Sequence, residues 1–413
     1  MKIGGSISAT ARDRGAQFGL LAFIKPMTLL RLAMRIATVS PKKIPRLLGI
    51  LGASVGGLPL STWQTVTHAS RIRNQRVHDA PVFIIGHWRS GTTLLHNLMS
   101  QDPQFGCLRM FTAIAPGCSL ATSRWLPSSL SRVIPRKRPM DNMEWPMDAP
   151  QEEEIPLAKI TPYSGYQQFL FPGQSFSTFE RFVLLNNSPS GARNEVSRCL
   201  YRLMQIASAH EGGKRLLMKN PVNTARVPLL LELFPNARFI FLHRSPYDVF
   251  RSTKNLNRKI LELTALQPFT EDTIEANVLA IFPLLLEQYL RDRDRLAPNR
   301  LIEVGFAELE AAPNETIEKI YSQLELPDYA TARKPIEDYV RTLSRYQKNS
   351  YPALTEREKA LVDRYWHVAF SEWGYEPDGD GPLPTDCSSS ASCPARSAPR
   401  TSIRPGRMPA ASA

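Results

Sequence analysis

The sequence predicts an α/β protein in which helices flank a parallel β-sheet, with a P-loop-like phosphate-binding loop and a helical N-terminal extension. Short apolar runs alternate with helical stretches from residue 80 onward, which is typical of parallel strands joined by crossover helices. A glycine-rich loop follows the first apolar run, and apolar residues recur at helical spacing over residues 18–50. The chain has 413 residues, 43% of them hydrophobic and 22% charged, which fits a globular protein with an ample core.

The predicted core domain covers residues 80–376 and begins with a strand–turn–helix unit that Pro103 closes. Strands are predicted at 82–85, 216–218, 238–242 and 300–304, and helices at 92–100, 194–209, 224–233, 247–260 and 273–293. Residues 106–175 are rich in proline, methionine and aromatic residues, so we expect irregular structure that lines the substrate site.

Three segments that carry polar side chains each follow a predicted strand: residues 86–93, 219–221 and 243–246. Functional groups of an open parallel sheet collect at the carboxyl ends of its strands. We therefore expect these three segments to meet at one edge of the sheet.

The N-terminal extension, residues 1–79, is strongly basic. It carries twelve Lys and Arg residues against Asp13 and Asp79, whereas the whole chain has a formal net charge of +13. One or two basic amphipathic helices, split near Pro41, are predicted from Phe18 to Ile50. We favour the interpretation that these helices dock on the core domain. The alternative is that they lie on an anionic membrane surface.

Other features of the chain exclude several classes of protein. Five cysteines with no Cys-x-x-Cys spacing argue against a disulfide framework or a zinc site, and favour a reducing, cytoplasmic location. No stretch is expected to reach the roughly 18 apolar residues of a spanning helix, because Leu47–Leu60 is short and interrupted by glycines. Residues 1–15 and the Pro/Ser/Ala-rich segment 377–413 are predicted to be disordered.

The loop after the first strand reads Gly-His-Trp-Arg-Ser-Gly-Thr-Thr over residues 86–93. Gly86 and Gly91 stand at the two glycine positions of the G-x-x-x-x-G-K-[ST] motif, and Thr93 stands at its Ser/Thr position. Thr92 replaces the lysine that normally reaches the β- and γ-phosphates of a nucleoside triphosphate. The loop is therefore suited to wrapping a phosphate with backbone N–H groups, and poorly suited to a triphosphate with Mg²⁺.

The loop resembles the 5′-phosphosulfate loop of sulfotransferases that use 3′-phosphoadenosine 5′-phosphosulfate, which reads [KR]-[ST]-G-T-T after a strand. Arg244–Ser252 resembles the 3′-phosphate element of the same family, and Leu217–Pro221 resembles its K-[STN]-x-P strand end. The likeness covers about residues 80–375. It is nearest to a bacterial group that carries a P-Q-E-E-E segment, here Pro150–Glu154.

The resemblance implies a sulfotransferase that moves a sulfuryl group from 3′-phosphoadenosine 5′-phosphosulfate to a hydroxyl or amine group. The residues implied at the 5′-phosphosulfate are Arg89, Ser90, Gly91, Thr92 and Thr93. Arg244 and Ser252 are implied at the 3′-phosphate, which an arginine can grip with two parallel hydrogen bonds. Leu94 stands where some relatives carry an aromatic residue that stacks on adenine, so another residue is expected to hold the adenine.

Catalysis in such an enzyme needs a fixed cation where negative charge grows on the bridging oxygen and the leaving phosphate. The resemblance implies Arg89 for this role, and Lys219 is the second candidate. No metal is required, which agrees with the absence of metal-ligand spacing in the sequence.

The general base that deprotonates the acceptor is left open by the sequence. Many relatives carry a histidine near the K-x-x-P segment, where this chain has Asn220 and Asn223. We select Glu153 from the acidic run 152–154, although such a run is commonly a solvated helix face. His96, one helical turn beyond Thr92, is an alternative that we expect to pack against the sheet.

Two other functions compete with sulfuryl transfer. A P-loop nucleotide kinase or NTPase-like phosphotransferase would share the core, but Thr92 tells against it. A non-catalytic protein could bind nucleic acid or membrane through its basic N-terminal segment, but that segment lacks interleaved aromatic residues for base stacking. We therefore expect no nucleic-acid partner. The acceptor is expected to be a small molecule, lipid or carbohydrate, with peripheral membrane contact through residues 1–79 as an option.

Overall fold

The structure is a computed structural model that describes residues 23–33, 39–132, 134, 144–343 and 351–377. The disorder predicted for residues 1–15 and 378–413 lies outside the described residues.

Within this part of the chain, the core is a five-stranded parallel sheet with strand order β2-β3-β1-β4-β5. The strands are β1 Val82–Gly86, β2 Phe105–Gly106, β3 Arg215–Lys219, β4 Arg238–His243 and β5 Leu301–Gly305. Every neighbouring pair is parallel. The predicted fold class is therefore confirmed, and the loops that follow β1, β3 and β4 lie at the same edge.

Helices cover both faces of the sheet. Alternate side chains of β1 therefore belong to two different hydrophobic clusters. Phe83 and Ile85 pack in one hydrophobic cluster, whereas Val82 and Ile84 pack in the other. All four side chains are fully buried, as expected for a central parallel strand. The helices before residue 200 are α1 Pro26–Ala33, α2 Ile44–Gly56, α3 Leu58–Asn74, α4 Thr92–Met99, α5 Met110–Ile114, α6 Leu126–Leu130, α7 Glu154–Ile160, α8 Ser175–Phe182 and α9 Ala192–His210. Those after it are α10 Val227–Leu233, α11 Pro246–Thr264, α12 Glu271–Arg293, α13 Phe306–Ala311, α14 Pro313–Gln323, α15 Tyr329–Leu343 and α16 Glu356–Trp373.

The helix predicted at 224–233 is in fact two elements, a 3₁₀ turn at Pro221–Ala225 and α10. The side chain of Asn220 accepts a hydrogen bond from the Val222 N–H and so caps the 3₁₀ turn. Pro228 then lies in the first turn of α10, where a missing N–H has no cost. Short α- and 3₁₀-helices interrupt the 106–175 region, which was expected to be irregular.

The N-terminal extension forms α1, α2 and α3, and the residues from Pro41 to Asn74 make a nearly continuous helical stretch of 34 residues. By length and composition this stretch is apolar enough to cross a membrane, although 17% of its most apolar window is buried in the structure. The expectation that no stretch would be long enough is wrong, because Gly57 keeps a helical backbone with φ −80° and ψ −12° and does not end the helix. Length and composition alone are weak evidence for a span.

Candidate functional site

The loop between β1 and α4 depends on two glycines with left-handed backbone angles, Gly86 at φ 134° and Gly91 at φ 100°. A Cβ atom at Gly86 would lie 2.4 Å from the carbonyl oxygen of Leu242, and one at Gly91 would lie 2.2 Å from the ring of Phe306. Only glycine fits both the backbone angles and the space. The motif glycines therefore let the loop pass between β4 and Phe306.

Arg89 also has a left-handed backbone, with φ 72°, which is uncommon for a residue other than glycine. Its Nε donates a hydrogen bond to the Oγ of Ser252 at 2.8 Å, and its Nη2 lies 3.5 Å from the hydroxyl of Tyr351. Strained residues of this kind cluster at ligand sites, where the surrounding structure holds them in place. The contact brings the loop and α11 together, although they are far apart in sequence.

The remaining loop residues have different surroundings. The Ser90 hydroxyl donates to the carbonyl oxygen of His87 at 2.8 Å and so holds the turn closed. Thr92 is buried, whereas Thr93 is half-buried and its Oγ1 accepts from Lys219 Nζ at 3.4 Å. The first N–H groups of a helix have no partner within the helix, and they favour a bound anion. The start of α4, directly after the loop, is such a helix end.

A second cationic group lies at the start of α11. Arg244 and Arg251 both pair with Asp248, at 3.0 and 2.8 Å, so the three side chains together carry a net positive charge. The Arg244 guanidinium also lies 4.5 Å from the centre of the Phe306 ring, the same ring that covers Gly91. The two predicted anion sites are therefore adjacent.

Lys219 lies at the carboxyl end of β3, and its side chain is only 3% exposed. Its ammonium group donates to Oε1 of Glu152, and the other carboxylate oxygen of Glu152 accepts from the hydroxyl of Tyr166. Trp88 Nε1 in turn donates to the Tyr166 oxygen at 3.3 Å. Burial raises the pKa of Tyr166 and the Glu152 charge raises it further, so this phenol stays protonated. A continuous polar chain therefore links Thr93 to Tyr166.

A largely apolar cavity that is partly open to solvent lies beside this chain. Its apolar lining includes Trp88, Trp145, Ile155, Phe169, Leu170 and Leu256. Glu152, Tyr166 and Lys159 are among its polar lining residues. Burial lowers the pKa of Lys159 to about 7, and its Nζ donates to the Ile114 carbonyl oxygen at 2.7 Å. Glu152 thus lies in the cavity wall and also contacts Lys219, which reaches the phosphate-binding loop through Thr93.

The acidic run is not a solvated helix face, because Glu153 and Glu154 are fully buried. Glu153 accepts from the side chain of Asn223, and its Oε2 has no hydrogen-bond partner among the described residues. Burial raises the pKa of Glu153 to about 7, and the neighbouring Glu154 charge adds to that shift. Among the described residues, Glu152 lines the cavity and Glu153 does not. The sequence-based choice of Glu153 therefore falls on a carboxyl group that faces the protein interior.

Glu154 is held by a buried ion pair and several hydrogen bonds. It forms a buried ion pair with Arg226 at 2.8 Å and also accepts from Asn220, Ser164 and the Gly165 N–H. Arg226 donates in addition to the Phe182 carbonyl oxygen at 2.7 Å. These bonds fix the segment that carries Glu152.

His96 packs against β3, as expected. Its Nε2 lies 3.3 Å from the carbonyl oxygen of Leu217. Burial lowers the pKa of His96 to about 3 and the Lys219 charge lowers it further, so the ring is neutral near pH 7. Sequence reasoning missed Tyr166, Arg251 and Phe306 as neighbours of the site, since no local pattern distinguishes them from other aromatic and basic residues.

Comparison with known proteins decides the family. The family model for sulfotransferases matches residues 81–331, more than half of the chain. This chain belongs to the sulfotransferase family. The match covers all five strands and every segment of the site except Tyr351. The kinase alternative is not favoured, and the chain is an enzyme that transfers a sulfuryl group.

Two curated relatives are similar over most of their length. The omega-hydroxy-beta-dihydromenaquinone-9 sulfotransferases Stf3 of Mycobacterium bovis and Mycobacterium tuberculosis are each 29% identical to this chain over 317 residues. The alignment covers 77% of this chain and 81% of each relative.

Two solved sulfotransferase structures share the fold. STF9 from Mycobacterium avium superposes with a TM-score of 0.65 at 18% identity, covering 92% of this chain and all of that one. STF1 from Mycobacterium tuberculosis superposes with a TM-score of 0.51 at 17% identity, covering 88% of this chain and 94% of that one. At these identities the likeness is evidence of the fold alone.

We predict that Arg226→Met destabilises the protein by about 3–5 kcal/mol, because it leaves the buried Glu154 carboxylate without its partner. Urea unfolding measures the change. Arg193→Met is the matched control, since its ion pair with Glu232 is 43% and 57% exposed and such pairs contribute about 1 kcal/mol or less. Equal losses for the two variants would contradict the assignment.

We predict that the Glu153 carboxyl makes stability depend on pH. Its folded pKa of about 7 lies above the ordinary 4.5, so the folded state binds the proton more tightly and loses stability as pH rises between these values. Glu153→Gln lacks this dependence. The free energy of unfolding of the variant, relative to that of the unsubstituted protein, should therefore rise by on the order of 3 kcal/mol between pH 4 and pH 8. Urea unfolding of both proteins at both pH values measures this change. A difference in unfolding free energy between them that is the same at pH 4 and pH 8 would contradict the prediction.

Proposed function

We propose that this enzyme transfers the sulfuryl group of 3′-phosphoadenosine 5′-phosphosulfate to a hydroxyl group of an apolar, lipid-like acceptor held in the cavity beside Glu152. One observation carries the proposal. Glu152 lies in the wall of an apolar cavity and is at the same time hydrogen-bonded to Lys219, which contacts the phosphate loop through Thr93. A single carboxylate thus joins a polar anion site to an apolar chamber.

The residues around the loop fit the donor, which carries two separate anionic groups. The start of α4, with Arg89, Ser90, Gly91, Thr92 and Thr93, would hold the 5′-phosphosulfate. Arg244 and Ser252 would hold the 3′-phosphate, and Arg251 adds a second cation there. The hydrogen bond from Arg89 to Ser252 supports one ligand that reaches both groups. Phe306, which lies against Arg244 and Gly91, is the candidate aromatic neighbour of the nucleoside.

In the proposed mechanism, Glu152 and not Glu153 is the general base. It accepts the proton of the acceptor hydroxyl while the acceptor oxygen forms a bond to sulfur. The bond between sulfur and the bridging phosphate oxygen breaks, and adenosine 3′,5′-bisphosphate leaves. Lys219 and Arg89 stabilise the negative charge that grows on the bridging oxygen and phosphate. Tyr166 orients the Glu152 carboxylate through its hydroxyl.

The lipid-like acceptor is supported by the lining of the cavity and by the relatives. Stf3 is named for a hydroxylated dihydromenaquinone, a hydroxyl-bearing apolar molecule. The aromatic and aliphatic wall of this cavity suits the same chemical class, because burial of apolar surface supplies the binding free energy. A carbohydrate would leave many hydroxyl groups unpaired against that wall.

Within the described residues, no group of three His, Cys, Asp or Glu side chains is placed to hold a metal ion, and a metal-free reaction stays a prediction. The described cysteines Cys107, Cys118 and Cys199 are free thiols. We propose that the protein is a bacterial enzyme that works in the cytoplasm, in peripheral contact with a membrane.

We predict that adenosine 3′,5′-bisphosphate binds in the presence of EDTA and that Arg244→Ala weakens this binding by about 1.5–3 kcal/mol, the usual contribution of a hydrogen bond to a charged group. Isothermal titration calorimetry measures both results. Arg258→Ala is the control, because Arg258 is paired with Glu271 on a solvated surface. Unchanged affinity in Arg244→Ala, or binding that requires Mg²⁺, would refute the donor assignment.

We predict that Glu152→Gln lowers kcat by about 10²–10³-fold, because the amide cannot accept the acceptor proton. Glu153→Gln is the matched control and should keep kcat within a few-fold of the unsubstituted enzyme. Turnover is followed with ³⁵S-labelled donor and a hydroxylated isoprenoid quinone, with a carbohydrate acceptor in parallel. A large loss in Glu153→Gln together with normal kcat in Glu152→Gln would return the role of base to Glu153.

A further inference from the structure

The N-terminal helices leave an unusually apolar surface exposed. Among the described residues, nine of the twelve exposed large hydrophobic side chains lie on α1, α2 and α3. On α2 they are Ile44, Leu48, Leu51 and Val55, which are 46%, 60%, 43% and 50% exposed. Their spacing places them on one face of the helix. We call the exposed apolar side chains of α1–α3 the N-terminal apolar surface; large exposed apolar areas mark interaction sites.

The opposite face of the same helices is attached to the core domain. Arg46 donates to the carbonyl oxygen of Ala265 at 3.1 Å, and the buried Gln64 donates to that of Pro116 at 3.1 Å. Gln64 also accepts from the Leu120 N–H at 2.8 Å. Helices that are held along the domain by polar contacts cannot cross a bilayer without breaking them. The exposed face is therefore available for contact in the plane of a surface.

The charged residues around this apolar face indicate which kind of partner it binds. No Asp or Glu occurs between Asp13 and Asp79, whereas Lys42, Arg71 and Arg73 are exposed on or beside α2 and α3. Basic residues beside an apolar helix face bind anionic lipid headgroups. A second copy of the chain would bring the same positive charges together across a two-fold interface, which disfavours self-association.

The N-terminal helices also adjoin the proposed acceptor cavity on two sides. Ile50 of α2 packs in one cluster with Leu29 and Leu32 of α1 and with Leu170, and Leu170 lines the cavity. Leu60 packs against the cluster that contains Trp145, another cavity residue. The same helices thus carry the exposed apolar face outside and support the cavity wall inside.

We propose that the N-terminal apolar surface docks on an anionic lipid bilayer and so holds the acceptor cavity at the membrane, where an apolar acceptor is dissolved. The choice of acceptor class rests on the proposed function, whereas the docking itself does not. Trp63, at 44% exposed, adds an aromatic ring of the kind that favours the bilayer interface. The helices lie in the interface plane and do not span the bilayer.

The test is co-sedimentation of the full-length protein with large vesicles, either phosphatidylcholine alone or an equal mixture of phosphatidylglycerol and phosphatidylcholine. We expect binding to the mixed vesicles and several-fold weaker binding to the neutral ones. Leu48→Glu/Leu51→Glu should weaken binding by at least about tenfold, and Lys42→Gln by about fivefold. Phe176→Glu is the matched control, because Phe176 is 42% exposed and lies on α8; it should bind as the unsubstituted protein does.

Calorimetry with adenosine 3′,5′-bisphosphate separates the two proposals and checks that each variant is folded. Unchanged nucleotide affinity together with lost vesicle binding in Leu48→Glu/Leu51→Glu supports the docking surface. Equal sedimentation of this variant and the unsubstituted protein overturns it. Vesicle-independent dimers that Leu48→Glu/Leu51→Glu abolishes would overturn it as well, in favour of an interface between two copies. Failure of nucleotide binding with intact vesicle binding would refute the donor site and leave the docking surface supported.

Discussion

The geometry of the site depends on the buried ion pair between Lys219 and Glu152. The lysine side chain is 3% exposed and the glutamate 13%, so both charges are largely removed from water. Such a pair is tolerated only when further hydrogen bonds satisfy its remaining atoms, and here Thr93 and Tyr166 do so. The pair ties the carboxyl edge of the sheet to the irregular segment that covers it. The loop, the strand end and the cavity wall are thereby held in one arrangement.

Three consecutive glutamates differ because of what each one meets after folding. Glu152 faces Lys219 and the cavity, Glu153 faces Asn223 in the interior, and Glu154 pairs with Arg226. The Glu154 pair anchors the segment, and this anchoring sets the direction of Glu152. The acid with the raised pKa, Glu153, lies outside the cavity wall. The raised pKa of Glu153 thus follows first from its burial.

The two sides of the site differ in polarity in a way that suits two unlike substrates. Half-buried arginines lie beside the loop, whereas aromatic and aliphatic side chains line the cavity. Fixed charges that remain accessible to water suit the anionic donor that we propose, and an apolar wall suits the proposed acceptor, whose binding would remove its surface from water. The N-terminal helices add to the apolar side, because they pack behind the cavity wall.

The sequence by itself determined the strand–loop–helix unit, the parallel sheet and the collection of three polar segments at the carboxyl ends of its strands. These features depend on local patterns: short apolar runs that form strands of five or six residues, two glycines at positions with left-handed backbones, and polar residues directly after strands. Tertiary structure alone decided which glutamate faces Lys219, since the two residues are 67 positions apart, and that Arg89 meets Ser252 across 163 positions. It also decided that α2 and α3 continue past Gly57 with an apolar face turned outward. Side-chain direction and exposure depend on which distant elements pack together, and no local spacing of residues records that.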